Sequence, residues 1–216
     1  MNQATRVVLW RHGRTDWNLQ SRFQGTSDIP LDEVGLVQAR RAAQSLALLS
    51  PDAIVSSQLS RAVATAAALA ELVELPVTVD EDLQETYAGT WQGMTRSEII
   101  AAHPELFARW SAGEDVRPGG GESRSEVGDR VAASVERHAD AVPAGGIVVV
   151  VTHGGATRAG IGRLLGLPIE HAAALGGLVN CAWSVLERVE PSRGRRWRLV
   201  EHNARSLPEE VVGDEA

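Results

Sequence analysis

The sequence predicts a three-layer α/β/α fold with a mostly parallel central sheet. Short apolar runs, "VVLW" at 7–10 and "GGIVVVV" at 145–151, show no polar alternation, as strands covered on both faces require. Segments with helical spacing alternate with such runs, which is the pattern of a layered α/β protein. Two of the runs also end alike, one in "RHG" and the other in "THGG".

Residues 6–10 read as the first strand. "LDEVGLVQARRAAQSLALL", 31–49, places Leu31, Val34, Leu36, Val37, Ala42, Leu46 and Leu49 at helical spacing. "DAIVSS", 52–57, is a short β-rich run, and alanine-rich 59–72 is a helix. "PVTVD", 76–80, is a short strand followed by a loop. Residues 96–113 read as two short helices divided before Pro104, because the residue before proline is driven out of the helical region. "RPGGGES", 117–123, is the strongest loop signal. A polar helix to about Ala141, the 145–155 strand and a helix to about Leu165 follow. Two β-rich segments, 181–189 and 196–202, close the fold. Residues 1–205 read as one domain, with 86–122 an excursion over the sheet edge and 206–216 a mobile acidic tail.

Composition narrows the function. Of the 216 residues 44% are hydrophobic, enough for a core, but no run is long enough to span a membrane. The N-terminal "MNQATR" carries no signal-like apolar region, so a cytoplasmic protein is expected. A net charge of −7 disfavours a general nucleic-acid binder. All 21 basic residues are arginine, so an anion site must be built from Arg, His, backbone N–H groups and neutral donors. The single cysteine, Cys181, excludes an internal disulfide and reads as a buried, inert thiol within a strand.

His12 and His153 each fall at the carboxyl end of a strand, where open α/β sheets bind ligands. The helix after Gly154 and Gly155 points its N-terminal N–H groups and dipole at the same region. With Arg11 these features describe an anion site. Arg61 lies in the first turn of the helix after "AIVSS". It is either an ordinary surface arginine or a bidentate ligand for an oxyanion. Glu85, in "LQETYAGTWQG", is either a solvated loop residue or an acid whose pKa is raised by aromatic shielding.

"LWRHGRTDWN", "VSSQLSRAVATA", "LQETYAGTWQG", "GGES" and "VVVTHGG", in this order, resemble the histidine phosphatase superfamily, which has the phosphoglycerate-mutase-like fold. The resemblance implies that His12 is the nucleophile and becomes phosphohistidine. It also implies that Arg11, Arg61 and His153 clamp the phosphoryl oxygens, that Asn18 and the Gly154 N–H make lesser phosphate contacts, and that Glu85 protonates the leaving alkoxide. A positioned acid suits a poor leaving group, and arginines stabilise the transferring phosphoryl group without a metal. No metal and no cofactor are expected. A neutral imidazole can attack phosphorus if its other ring nitrogen is held as N–H, and a carbonyl near Gly13 is the expected acceptor.

Mutases of the superfamily resemble one another in a long insertion after the acid residue and in lysine and arginine contacts to the substrate carboxylate. Here only residues 86–121 separate Glu85 from Glu122, and lysine is absent. That favours a phosphatase acting on a small-molecule phosphate ester. "ETYAGTWQGMT", "GGGESR", "ALGGLVNCAWSVL" and "RWRLVEHNA" are further similar to glucosyl-3-phosphoglycerate phosphatases. A broad-specificity phosphatase, a mutase, a metal-dependent hydrolase and a non-catalytic binding protein stand as alternatives. Around the first motif Arg14, Thr15, Gln24, Gly25 and Thr26 are candidates for reading the substrate, with Gln24 and Gly25 resembling positions close to the phosphate. Arg22 and Arg109 could meet a carboxylate, and His171 and Asn180 are read as structural. Trp10 departs from the smaller aliphatic residue expected before "RHG" and should face the core opposite to Leu9. A homodimer is compatible with the family.

Overall fold

The computed structural model describes residues 4–192 and 195–206. Six strands form one sheet in the order β3-β2-β4-β1-β5-β6. Strands β1 (Arg6–Arg11), β2 (Ala53–Ser56), β3 (Val77–Val79) and β4 (Ile147–Thr152) run parallel to one another. Strands β5 (Trp183–Ser192) and β6 (Arg195–Ala204) extend the sheet antiparallel beyond β1.

Among the described residues seven α-helices follow one another: α1 (Asp16–Leu19), α2 (Glu33–Ala47), α3 (Ser60–Val73), α4 (Arg96–Ala102), α5 (Pro104–Ser111), α6 (Arg124–Asp140) and α7 (Gly154–Leu164). On one face of the sheet Val8, Trp10, Val149 and Val151 pack against Ala39, Ala42 and Leu46 of α2 and Ala62, Ala66 and Leu69 of α3. On the other face Val7, Leu9, Val148 and Val150 pack against Val127, Val131 and Val135 of α6 and Ala156 and Ile161 of α7. Alternate residues of one apolar strand therefore feed two cores, which makes three layers.

Leu9 and Trp10 point to opposite faces, as the alternation requires. Trp10 is fully buried, and its Nε1 donates to the Cys181 carbonyl at 3.2 Å. A buried indole needs such a partner. Cys181 itself lies just before β5, not within a strand. It has a left-handed backbone (φ 56°) and a buried thiol whose pKa burial pushes up to about 12.

The excursion at 86–122 packs an aromatic cluster of its own: Trp91, Ile99 and Phe107, with Phe23 and Trp110 against them. A capping box at Thr95 and Glu98 starts α4, and Pro104 occupies the first turn of α5. Among the described residues no helix is long and apolar enough to cross a membrane. Of the acidic tail, only Ser206 falls within the described residues.

Candidate active site

Sheet register builds the site. Parallel pairing sets Arg11 beside Thr152, so the residues that follow, His12 and His153, emerge side by side. The His12 N–H donates to the Thr152 carbonyl at 3.0 Å, and the two imidazole centroids are 5.1 Å apart. Strand β2 ends on the other side of β4, which brings Ser57 and the first turn of α3 to the same place.

His12 is buried, with its Nδ1 2.7 Å from the Gly13 carbonyl. That contact makes Nδ1 the N–H donor and leaves the lone pair on Nε2. Burial first, then the charges of Arg11 and Arg61, hold the His12 pKa well below 6.5, although the Gly13 contact acts the other way. His153 is fully buried behind the cleft wall and is also held well below 6.5, by burial and then by Arg61. Its Nδ1 accepts from Arg61 Nε at 3.2 Å, and its Nε2 lies 2.9 Å from Ser57 Oγ.

The two arginines are seated on carbonyls. Arg61 is fully buried and donates from Nη1 to Ser27 O (2.7 Å) and from Nη2 to Gly25 O (2.8 Å). Its pKa falls to about 10, chiefly through burial. Arg11 donates from Nη1 to the Leu178 carbonyl, while its buried Nε has no hydrogen-bond partner among the described residues. Two cations held by neutral groups leave net positive charge inside the protein. Such charge is stabilised by an anion.

Trp91, the aromatic neighbour of Glu85 in sequence, belongs to the separate cluster under the excursion and is not what surrounds the Glu85 carboxylate. That carboxylate caps α7 instead. Oε2 accepts from Gly155 N (2.9 Å), and Oε1 accepts from Ala156 N (2.9 Å) and Thr86 N (2.7 Å). Gly155 is required for this, since a Cβ there would lie 2.6 Å from Glu85 Oε1. A Cβ on Gly154 would press on Arg11 Nε at 3.4 Å.

Arg130 of α6 holds the Glu85 loop. Nη1 donates to the carbonyls of Asp82 and Gln84, and Nη2 to that of Glu85. The same guanidinium grips Glu122 of "GGES" through both oxygens. Sequence reading missed Arg130 because a polar residue in a polar helix carries no local signal. Ser57 and Thr65 were present in a quoted motif but received no role; Thr65 Oγ1 accepts from Gly13 N at 3.1 Å and donates to Arg61 O.

A cleft of about 640 Å³ opens in front of these groups, lined by Arg11, His12, Asn18, Gln24, Gly25, Arg61, Glu85 and Gly154, among others. Thr15 does not line it: the residue is fully buried and caps α1 by accepting from Asn18 N. Asn18 Oδ1 is held by Thr15 and by Asn180 Nδ2. Gln24 is buried, and its Oε1 has no partner among the described residues. Gly25 has φ +54°, and a Cβ there would stand 2.3 Å from Gln92 Oε1. Thr26 is tied to that same oxygen. Arg14 pairs with Asp32, and Arg109 with Glu114, away from the cleft. Arg22 reaches the rim with Nη1 on the Gly93 carbonyl.

Comparison with known proteins places the site in context. Residues 7–205 match the family profile of the histidine phosphatase superfamily, branch 1. A glucosyl-3-phosphoglycerate phosphatase of Mycolicibacterium vanbaalenii is 42% identical over 215 residues, covering 94% of this chain and 96% of the relative. A metal-independent phosphoserine phosphatase of Arabidopsis thaliana is 36% identical, covering 91% of this chain and 80% of the relative. Among solved structures, mycobacterial glucosyl-3-phosphoglycerate phosphatase in complex with VO3 superposes with a TM-score of 0.87 at 41% identity, covering 92% and 99% of the two chains.

Proposed function

The chain belongs to the histidine phosphatase superfamily, branch 1, and from that premise we propose that it hydrolyses phosphate monoesters through a phosphohistidine on His12. The observation that carries this is the ring of His12. Gly13 O fixes Nδ1 as the donor, and the low pKa keeps Nε2 unprotonated and nucleophilic at neutral pH. Nε2 attacks phosphorus, the ester P–O bond breaks, and the departing alkoxide takes a proton from Glu85. Water then attacks the phosphohistidine and gives its proton to Glu85. The P–N bond breaks, and inorganic phosphate leaves with the Nε2 lone pair restored.

Arg11 and Arg61 stabilise the phosphoryl charge through transfer. Glu85 takes three of its hydrogen bonds from backbone N–H groups, two on Oε1 and one on Oε2. A carboxylate has about four acceptor sites, so Oε2 keeps one for the transferable proton. The N–H groups of Gly155 and Ala156 serve Glu85, which leaves that of Gly154 for the phosphate. Asn18, Gln24 and Gly25 border the same position, and His153 holds Arg61.

The substrate we propose is glucosyl-3-phosphoglycerate, cleaved to glucosylglycerate; the names of relatives about 40% identical over most of their length support it. A phosphate-release screen over sugar phosphates, phosphoglycerates, phosphoserine and glucosyl-3-phosphoglycerate tests it. The glucosylated ester should have the highest kcat/KM. A flat profile would replace this substrate with a broad specificity, and transfer between phosphoglycerates would replace hydrolysis. A homodimer, compatible with the family, and a cytoplasmic location accompany this proposal, and light scattering tests the dimer.

A further inference from the structure

The cleft extends well beyond the phosphate position. Its far wall carries Arg124, at the start of α6, and Arg158, on α7 one turn beyond Gly154. Arg124 is seated like the two arginines of the phosphate site. Nη1 donates to the Glu114 carbonyl (2.9 Å), Nη2 to the Trp110 carbonyl (2.6 Å), and the guanidinium lies 5.0 Å from the centroid of the Trp110 ring. Arg158 is half-buried and has neither a hydrogen bond nor an ion pair among the described residues. The wall's other arginine, Arg163, is paired with Asp129. Burial and then the charge of Arg158 lower the pKa of Arg124, with Asp115 acting in the opposite direction. Two like charges facing one cleft repel unless an anion lies between them.

Resting on the phosphatase reading above, we infer that Arg124 and Arg158 form a second anion subsite that takes the carboxylate of a phosphorylated hydroxy acid. The spacing suits this. Gly154 and Arg158 are four residues apart, about 6 Å along the helix axis, which is the scale of a three-carbon phospho acid. Arg124 is the fixed half of the subsite, and Arg158, without a partner among the described residues, is the half that selects. The selection lies in affinity for the carboxylate, a group remote from the reacting phosphorus.

The test compares two esters that differ in the carboxylate alone, 3-phosphoglycerate and glycerol 3-phosphate. The wild-type protein should favour the carboxylated ester in kcat/KM. In Arg158→Gln that ratio should fall about tenfold, mainly through KM, as loss of one charge-assisted contact implies. Arg158→Lys should recover part of it. A ratio unchanged in Arg158→Gln overturns the inference; a general loss of folding would depress both esters and leave the ratio alone. If the wild-type protein hydrolyses neither ester but releases phosphate from glucosyl-3-phosphoglycerate, the phosphatase reading stands; if it hydrolyses none of the three, that reading fails. The ratio of the two dissociation constants, measured by calorimetry on the wild type and on Arg158→Gln, then decides the subsite by the same criterion.

Discussion

Two groups of arginines in this protein sit in different settings. Around the cleft, Arg61, fully buried, and Arg11, partly buried, are seated on backbone carbonyls, with no ion-pair partner among the described residues. Beneath β3 and along α6, arginines meet carboxylates: Arg137 bridges Asp80 and Asp82, and Arg130 holds Glu122. Carbonyls orient a guanidinium without cancelling its charge. Carboxylates cancel it. The first setting keeps positive charge available for a ligand, while the second ties helix to loop. In a chain without lysine, that choice of partner separates anion site from scaffold.

The largest effect should come from His12→Ala, which removes the proposed nucleophile beside Arg11 and Arg61. Turnover should fall by about 10⁴-fold or more, with the circular dichroism spectrum preserved. The contrast sharpens in a pair of variants. Arg61→Gln should lower kcat/KM by about 10²–10³-fold, the scale of losing one preorganised donor. Arg130→Gln should show the larger fall in melting temperature, since Glu122 and three loop carbonyls lose their partner. Equal losses of activity and of stability in both variants would erase the distinction. Gly155→Ala should lower kcat by about 10–100-fold through displacement of Glu85, with KM less affected.

The smallest effect is in the pH dependence of stability. In the site, His12 and His153 stay neutral in the native state well below 6.5. The unfolded chain binds those protons from 6.5 downward, so stability is lost as pH falls below 6.5. Asp80 is held at about 2 despite partial desolvation, because Ser134, His138, the Asp82 N–H and Arg137 donate to it. Its contribution is present above the ordinary value of 3.8 and is lost as pH falls toward 2. Asp80→Asn should therefore narrow its stability deficit against wild type between pH 4 and 2, as read by urea unfolding. A deficit constant across that range would contradict the assignment.

Much of this was legible in the sequence. Unbroken apolar strands ending in "RHG" and "THGG" announced both the sheet and its functional edge, because a parallel sheet brings the ends of its strands together. The alternation of Leu9 and Trp10 announced the two cores. What escaped reading came from afar in the chain. Leu178 O seats Arg11, Gly25 O seats Arg61, and Arg130 holds the Glu85 loop from 45 residues away. No local pattern encodes such contacts. The environment of Glu85 stayed open between solvent and aromatic shielding for the same reason, since its neighbours in space are the N–H groups of α7 and not its sequence neighbour Trp91.

The central claim is that His12 carries the phosphoryl group. The direct measurement is rapid acid- and base-quench trapping with a phosphate ester labelled in phosphorus, followed by peptide mapping. The account predicts label on the peptide containing His12, stable to base and labile to acid, and absent from His12→Ala. Label on another residue, or label retained by His12→Ala, would contradict it.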